Sequence, residues 1–381
     1  MDARAACKNK YLGSTVAWLK KMIEVLMAYY TRTRRPVYLV MGMCVSLLVT
    51  VLGFNFDASW RRQTEAGVEE LKVGTSGGAG VVGEVVGWAA VAFFVICASI
   101  VVFELVREFR AASRKRVICV ELRGLVDTTA TPLKSAIPPS YIGRREDCLV
   151  NVRDYLTGTP PNVQAAISTL SLIPEQVRLR CGDTIQADVT VVAGGILQVP
   201  LLFYAGMLLN DGGSKEFFDW ERTRHAWQEL AGIDDGDRFE VLDTDVLVEG
   251  IEEVVLAVSV SYRIREEHLK NTFETIPVVR LQLSNSALNE LWSKEKQVAL
   301  LDQFLKAINK LSDRGIKRIH LVLAAPASLS LRIGSAYDRN MPEVLVYQFE
   351  PKQPLHYPWS VAMPRAEGAH AQFVPTQQPL H

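Results

Sequence analysis

The sequence predicts a membrane-anchored α/β protein: two N-terminal transmembrane helices followed by a duplicated, Rossmann-like α/β domain. Three observations predict it. Two long runs early in the chain carry no charge. Beyond about residue 115, β-rich runs alternate with helix-like patterns. One strand, small-residue loop, helix unit occurs twice.

The uncharged runs are VYLVMGMCVSLLVTVLGFNF (37–56) and VVGWAAVAFFVICASIVVF (85–103). A bilayer core of about 30 Å needs ~20 helical residues, and each run meets that length. The first run starts too deep and is too long for a cleaved signal peptide. The region 37–106 is therefore read as two spans, about 37–56 and 85–106, joined by an extracytoplasmic loop. Lys and Arg set the orientation. Before the first run stand Arg4, Lys8, Lys10, Lys20, Lys21, Arg32, Arg34 and Arg35; after the second come Arg107, Arg110, Arg114, Lys115 and Arg116. The loop 57–84 holds only Arg61, Arg62 and Lys72, against five acids. Positive-inside places both termini in the cytoplasm. Residues 1–36 form a basic segment containing an amphipathic helix at 14–30, with Val16, Leu19, Ile23, Leu26, Met27 and Tyr30 on one face. That face suits either the membrane interface or the spans of a neighbouring protomer.

From about 115 the pattern is α/β. A strand is predicted at 117–122, helices near 146–156 and 162–171, and a long strand–loop–helix segment at 187–206. That segment, ADVTVVAGGILQVPLLFYAG, echoes IKRIHLVLAAPASLSLRIG (316–334). Each has a Val/Leu-rich strand ending in small residues, then a helix with a Gly ten to twelve residues on, Gly206 or Gly334; the second helix pattern closes at Gly334. Each continues into another apolar strand and reaches a Trp, Trp227 or Trp359. Either two related halves, about 115–245 and 246–365, or a chance likeness of two βαβ units accounts for this. The tail 366–381 is Pro-rich and predicted disordered.

Parallel sheets bind ligands at the carboxyl ends of their strands. Gly194 and Gly195 would let backbone N–H groups approach a ligand, with a helix amino terminus behind them suited to phosphate. Several chemistries are excluded or unsupported. The formal net charge is zero, against a nucleic-acid polymer as partner. No Gly-x-Gly-x-x-Gly follows a first strand and no Walker lysine is present. The six cysteines and six histidines show no metal spacing, so no metal or cofactor is expected. His225, His268 and His320 are isolated in sequence and no acid/base set is clustered, so no catalytic residue is assigned and the chain is read as a non-enzyme.

HLVLAAPASLSLRIGSAYDRNMPEVLVYQFEP (320–351) resembles the carboxyl-terminal signature of SAVED domains from bacterial anti-phage CBASS systems. IPVVRLQL (276–283) and the helix pattern near 295–312 also fit, and VVAGGILQVPLLFYAG looks like the family's other CARF-like unit. The likeness covers about 115–365. Two spans ahead of it look like the two-transmembrane SAVED effector architecture. The resemblance implies two fused CARF-like units, a cyclic oligonucleotide ligand (typically a cyclic trinucleotide) and a functional partner nucleotidyltransferase with no direct contact. It further implies self-association through SAVED and a two-pass protein of the bacterial inner membrane that disrupts the bilayer or forms a pore. The alternatives are a membrane-tethered receptor that recruits another effector, and a ring nuclease that degrades the signal.

On this resemblance Ala325, Pro326 and Ser328 are candidate ligand contacts, with Gly194, Gly195 and Gln198 at the matching place in the first half. Ser259, Tyr262 and Arg263 follow the second half's first strand, and Arg123 and Gly124 the first half's. Trp292, Lys294 and Lys296 are assigned base stacking and phosphate neutralisation. His320 is read as a satisfied structural histidine.

Overall fold

The computed structural model describes residues 42, 58–64, 67–73, 81–210, 213–242, 250–284, 292–366 and 368–376. The predicted first span, apart from residue 42, and the amphipathic helix lie outside the described residues. The chain divides into two units, Met1–Arg110 and Ala111–His381.

In the first unit, β1 (Ala58–Thr64) and β2 (Gly67–Val73) form an antiparallel hairpin. Its register sets Arg61 opposite Glu70 and Arg62 opposite Glu69. The sequence reading assigns this region to the loop between the two spans, without strands. Helix α1 (Val81–Arg114) contains the run expected as the second span. Among the described residues no helix is long and apolar enough to cross a membrane. The described side chains of α1 nonetheless include Val95, Ile96, Ile100, Val102, Phe103 and Val106, all exposed.

The second unit holds two sheets. The first has strand order β4-β3-β5-β6-β7: β3 (Arg116–Arg123), β4 (Arg144–Asn151), β5 (Val189–Ile196), β6 (Ser214–Glu221) and β7 (Ala226–Glu229). The second contains β10-β9-β11-β12-β13: β9 (Glu253–Ser259), β10 (Val278–Leu283), β11 (Arg318–Ala324), β12 (Glu343–Gln348) and β13 (Trp359–Ala362). The two orders correspond strand for strand. In each, four parallel strands are followed by one antiparallel strand, and that strand carries Trp227 or Trp359. Repeated topology of this kind supports duplication over a chance echo. The second sheet is extended by β8 (Phe239–Leu242) at one edge and β14 (Gln372–Pro375) at the other.

Two local expectations differ from the structure. The segment near 146–156 is mainly strand β4, because burial alternates there: Cys148 and Val150 point in, Leu149 and Asn151 out. The tail expected to be disordered holds β14, which pairs with β13 from Trp359↔Pro375 to Ala362↔Gln372.

Helix α6 follows β5 at Val199–Leu208 and helix α9 follows β11 at Ala327–Ser335 (α2 to α5, at Leu133–Ala136, Arg153–Thr157, Val163–Leu170 and Ile173–Cys181, precede them). Two further helices are α7 (Glu266–Phe273) and α8 (Lys294–Asp313). Helices α6 and α9 pack on each other, α6 also on β12 and α9 also on β6. Each half thus lends a helix to the other's sheet. One apolar core runs through both, from Ile118, Val120 and Leu122 to Leu321, Leu323 and Val346. Gly206 lies inside α6, and Gly334 stands one residue before the end of α9, close to where the sequence closes that helix. A Cβ on Gly206 would strike the Leu331 carbonyl, and one on Gly334 the Phe203 carbonyl. The glycines allow backbone-to-backbone approach at the crossing.

Candidate ligand cleft

The carboxyl ends of β3, β5, β9 and β11 converge where the halves meet. A cleft of about 390 Å³ opens there. Gly195 and Ile196 close β5, Ala325 and Pro326 follow β11, and Tyr262 follows β9. Trp220, Arg222 and Trp292 complete its polar and aromatic wall. A second cleft of about 570 Å³ adjoins it along β11 and β12, lined by Arg263, Arg265, His268, Phe349 and His356 among others. Val199 and Tyr262 line both. A larger cavity, about 730 Å³, lies by the amino ends of β5 and β6 and is lined by none of the predicted site residues.

Val199 is the first residue of α6. No side chain caps this helix, and Pro200 in its first turn has no N–H to satisfy. The Leu201 and Leu202 amides bond the Gln198 carbonyl at 3.0 Å, so the Val199 amide and the helix dipole leave a positive end where the two clefts join. The matching end of α9 is occupied. Asp219 of β6 accepts from the Ser328 hydroxyl at 2.8 Å and also bonds the Ser328 backbone. Burial pushes the Asp219 carboxyl up, while bonds from Ser328 and Trp220 oppose the shift.

Ser328 is fully buried and lies outside the cleft lining. It accepts from Gln297 Nε2 at 2.8 Å, and Gln297 Oε1 accepts from Arg332 Nε at 3.2 Å. Arg332 is itself buried, with its guanidinium 5.0 Å from the Phe217 ring centre. Burial lowers its pKa from the ordinary guanidinium value. A buried polar chain, Arg332–Gln297–Ser328–Asp219, therefore links α9 and α8 to β6 of the other half. The sequence reading singled out Ser328 for ligand contact; the structure places it in this chain.

The other candidates divide. Gly195, Tyr262, Trp292, Ala325 and Pro326 line the first cleft and Arg263 the second. Gly194 is buried against the Trp227 ring, where a Cβ would meet Cζ3 at 2.7 Å. Its small size serves packing at that contact. Gly124 packs on Leu156 and Leu197, and Arg123 pairs with Glu121 at 2.6 Å. Ser259 is buried and accepts from the Ile264 amide at 3.2 Å. Gln198 sits at the amino end of α6 with its Oε1 buried and without a partner among the described residues. Lys294 pairs with Glu216 at 2.5 Å, and buried Lys296 with Asp235 at 2.7 Å. Neither ammonium stands open beside Trp292. His320 is buried, with Tyr347 OH 2.9 Å from Nδ1 and Glu253 Oε2 3.1 Å from Nε2, as expected of a structural histidine. Sequence reasoning missed Arg222, Arg265, His268, Phe349 and His356, which topology alone brings to the clefts. Among the described residues no group of three or more His, Cys, Asp or Glu could hold a metal.

Residues 173–363 match the SAVED family, the SMODS-associated and fused to various effectors sensor domain. The chain belongs to the SAVED family. Residues 16–167 match the SAVED-fused 2TM effector domain, so a SAVED sensor is here joined to a two-transmembrane effector. The effector match extends into β3 and β4, which in the structure pair within the first SAVED sheet. No curated protein matches the chain. Among solved structures the SAVED chain is similar to an Acinetobacter baumannii Cap4 SAVED/CARF-domain containing receptor with the cyclic trinucleotide 3'3'3'-cAAA, at 13% identity and a TM-score of 0.44, over 64% of this chain and 50% of that one. The same receptor with 2'3'3'-cAAA matches at 14% identity and a TM-score of 0.44, over 66% and 51%. This chain spans about half the length of those receptors.

Proposed function

We propose that the chain is a non-enzymatic membrane effector of anti-phage defence that senses a cyclic oligonucleotide. The observation that carries this is the paired cleft joined at the uncapped amino end of α6, with Arg222 and Arg263 exposed on its walls and Trp220, Tyr262 and Trp292 beside it. Helix dipole and arginines suit phosphate, and the rings suit bases. The proposed ligand is a cyclic trinucleotide made by a partner nucleotidyltransferase that the chain need not touch. No metal, cofactor or catalytic residue is needed for this role.

Ligand binding is proposed to drive self-association of SAVED domains, which gathers the two-helix effectors of several protomers. Two helices cannot enclose a water-filled pore, so a lone protomer would be inert. Assembly would then open a pore or disrupt the bilayer. The exposed apolar residues of α1 support a lipid-facing helix. In this reading the protein sits in the bacterial inner membrane, crossing twice, with both termini cytoplasmic.

The test uses the full chain in detergent and in dye-filled liposomes. Calorimetry against cyclic di- and trinucleotides should find a binder, and that binder should release dye and enlarge the particle in light scattering. Absence of binding across the panel overturns the sensing role. Binding and assembly without leakage would instead favour a receptor that recruits another protein, and loss of intact ligand during incubation a ring nuclease.

A further inference from the structure

The second cleft holds a feature that ligand sensing does not itself require. His268 of α7 and His356, before β13, stack with ring centres 3.8 Å apart and planes 14° from parallel. Phe349 extends the stack, 5.4 Å from His268 and 6.0 Å from His356. Both imidazoles are half-buried. The buried Nδ1 of His356 has no hydrogen-bond partner among the described residues.

The surroundings are cationic. Arg263 and Arg265 line the same cleft, and neither has an ion-pair partner among the described residues. Tyr262 comes from the loop after β9, Tyr347 from β12, and Tyr357 from beside His356. Glu267 is the acid that acts on His268 from α7, and the Glu350 amide bonds the His356 carbonyl at 2.9 Å. Burial holds His268 below the ordinary imidazole range, with His356 and Arg265 adding to the shift and Glu267 opposing it. Two imidazolium rings in contact would repel, so charge on His356 disfavours charge on His268.

Building on the proposed nucleotide sensing, we propose that this cleft is a base-and-phosphate subsite whose His268–His356 pair takes up one proton from solvent as an anionic nucleotide binds. The planar rings offer a stacking face for a base, and Arg263 and Arg265 offer donors to its phosphate. A phosphate dianion or diester beside the pair adds the negative charge that the free cleft lacks. Protonation of an imidazole nitrogen then becomes favourable. By linkage, affinity rises as pH falls between the bound and free pKa of the pair, by up to about tenfold per pH unit. It levels off below the free value, where the proton is already present.

The experiment is calorimetry on the full-length protein in detergent, from about pH 5.5 to 8, in buffers of differing ionisation heat. The probes are cyclic triadenylate, AMP and inorganic phosphate. Wild type should take up close to one proton per bound nucleotide. His268→Phe and His356→Phe keep an aromatic stack and should bind with much flatter pH dependence, while Arg263→Ala and Arg265→Ala should weaken binding at every pH. Thermal melts check that each variant is folded. Binding of cyclic triadenylate without proton uptake overturns the subsite and leaves the sensing role intact. Proton uptake that survives in both Phe variants overturns the assignment to these histidines. AMP or phosphate binding with proton uptake, while no cyclic oligonucleotide binds, upholds the subsite and overturns the sensing role. If none of the probes binds at any pH, the subsite is wrong.

Discussion

Gly206 of α6 lies against the backbone of Leu331 in α9, and Gly334 of α9 lies against the backbone of Phe203 in α6. Leu331 precedes Gly334 by the same spacing as Phe203 precedes Gly206, so the crossing is a local two-fold of the duplicated fold.

Substituting either glycine by Ala should destabilise the protein. Ala gains about 1 kcal/mol of helix propensity over Gly. Against that, a Cβ on Gly206 would also meet the Leu331 carbonyl carbon at 2.9 Å, and backbone cannot rotate aside as a side chain can. Overpacking of this kind costs about 1–3 kcal/mol. Denaturant melts of Gly206→Ala, Gly334→Ala and the double variant should show net losses that do not add, because one separation of the helices relieves both contacts.

Ser328→Trp should unfold the sensor rather than block the ligand, because Ser328 is enclosed between Gln297 and Asp219. Ala325→Trp is the blocking variant, since Ala325 lines the cleft. Its melting temperature should stay near wild type while cyclic oligonucleotide affinity drops by about ten- to a hundredfold, read by calorimetry. Unchanged affinity would place the ligand elsewhere.

Asp219 makes stability depend on pH with a definite sign. Its native carboxyl is raised, above all by burial. A raised carboxyl contributes stability that is fully present below the unfolded value and lost as pH rises through the native one. Asp219→Asn should remove that loss. The difference in denaturation midpoint between variant and wild type should therefore move in the variant's favour from about pH 4 to pH 7. A constant difference would show that Asp219 does not titrate in this range.

Cys119 should resist alkylation in the native protein. It is fully buried, and burial pushes its thiol up to about 12. At pH 8 the thiolate fraction is then on the order of one in ten thousand. Iodoacetamide labelling followed by mass spectrometry should find Cys119 unmodified until denaturant is added.

In α1, Ile96→Arg should impair membrane insertion. Ile96 is exposed and central to the 85–106 run. A central Arg costs about 2.5–3.5 kcal/mol on insertion scales. Cell fractionation should show a smaller membrane-bound share, and depolarisation by the ligand should fall with it.

The strands and their ends were legible because Val- and Leu-rich runs such as Ile319–Leu323 are buried on both faces, which parallel strands require. The helix at Lys294–Asp313 was legible from its amphipathic pattern. β4 was misread because its charged outer positions resemble a helical face when register with β3 is unknown. Several site assignments turned on partners far along the chain. Ser328 is claimed by Asp219 and Lys296 by Asp235, pairings that no local window contains. The small residues illustrate the same limit: Gly195 borders the cleft but a Cβ on it would meet Leu202 Cδ2 at 2.8 Å, and a Cβ on its neighbour Gly194 would meet Trp227, so both glycines serve packing against residues distant in sequence.

The exchange of helices between the halves has a consequence for biosynthesis. Helix α6 is complete at Leu208, but α9, which covers it, ends only at Ser335. At ~5–20 residues per second, the ribosome needs about 6–25 s to supply that cover. During this interval Leu201, Leu202 and Phe203, buried in the finished protein, have no complete core to enter. Chains stalled just beyond α6 are therefore expected to recruit holdase chaperones, and chains released past α9 to shed them, which affinity capture of ribosome-bound nascent chains would read directly. The interlocked sensor is thus made as one unit, late in translation, after the amino-terminal effector region has already left the ribosome.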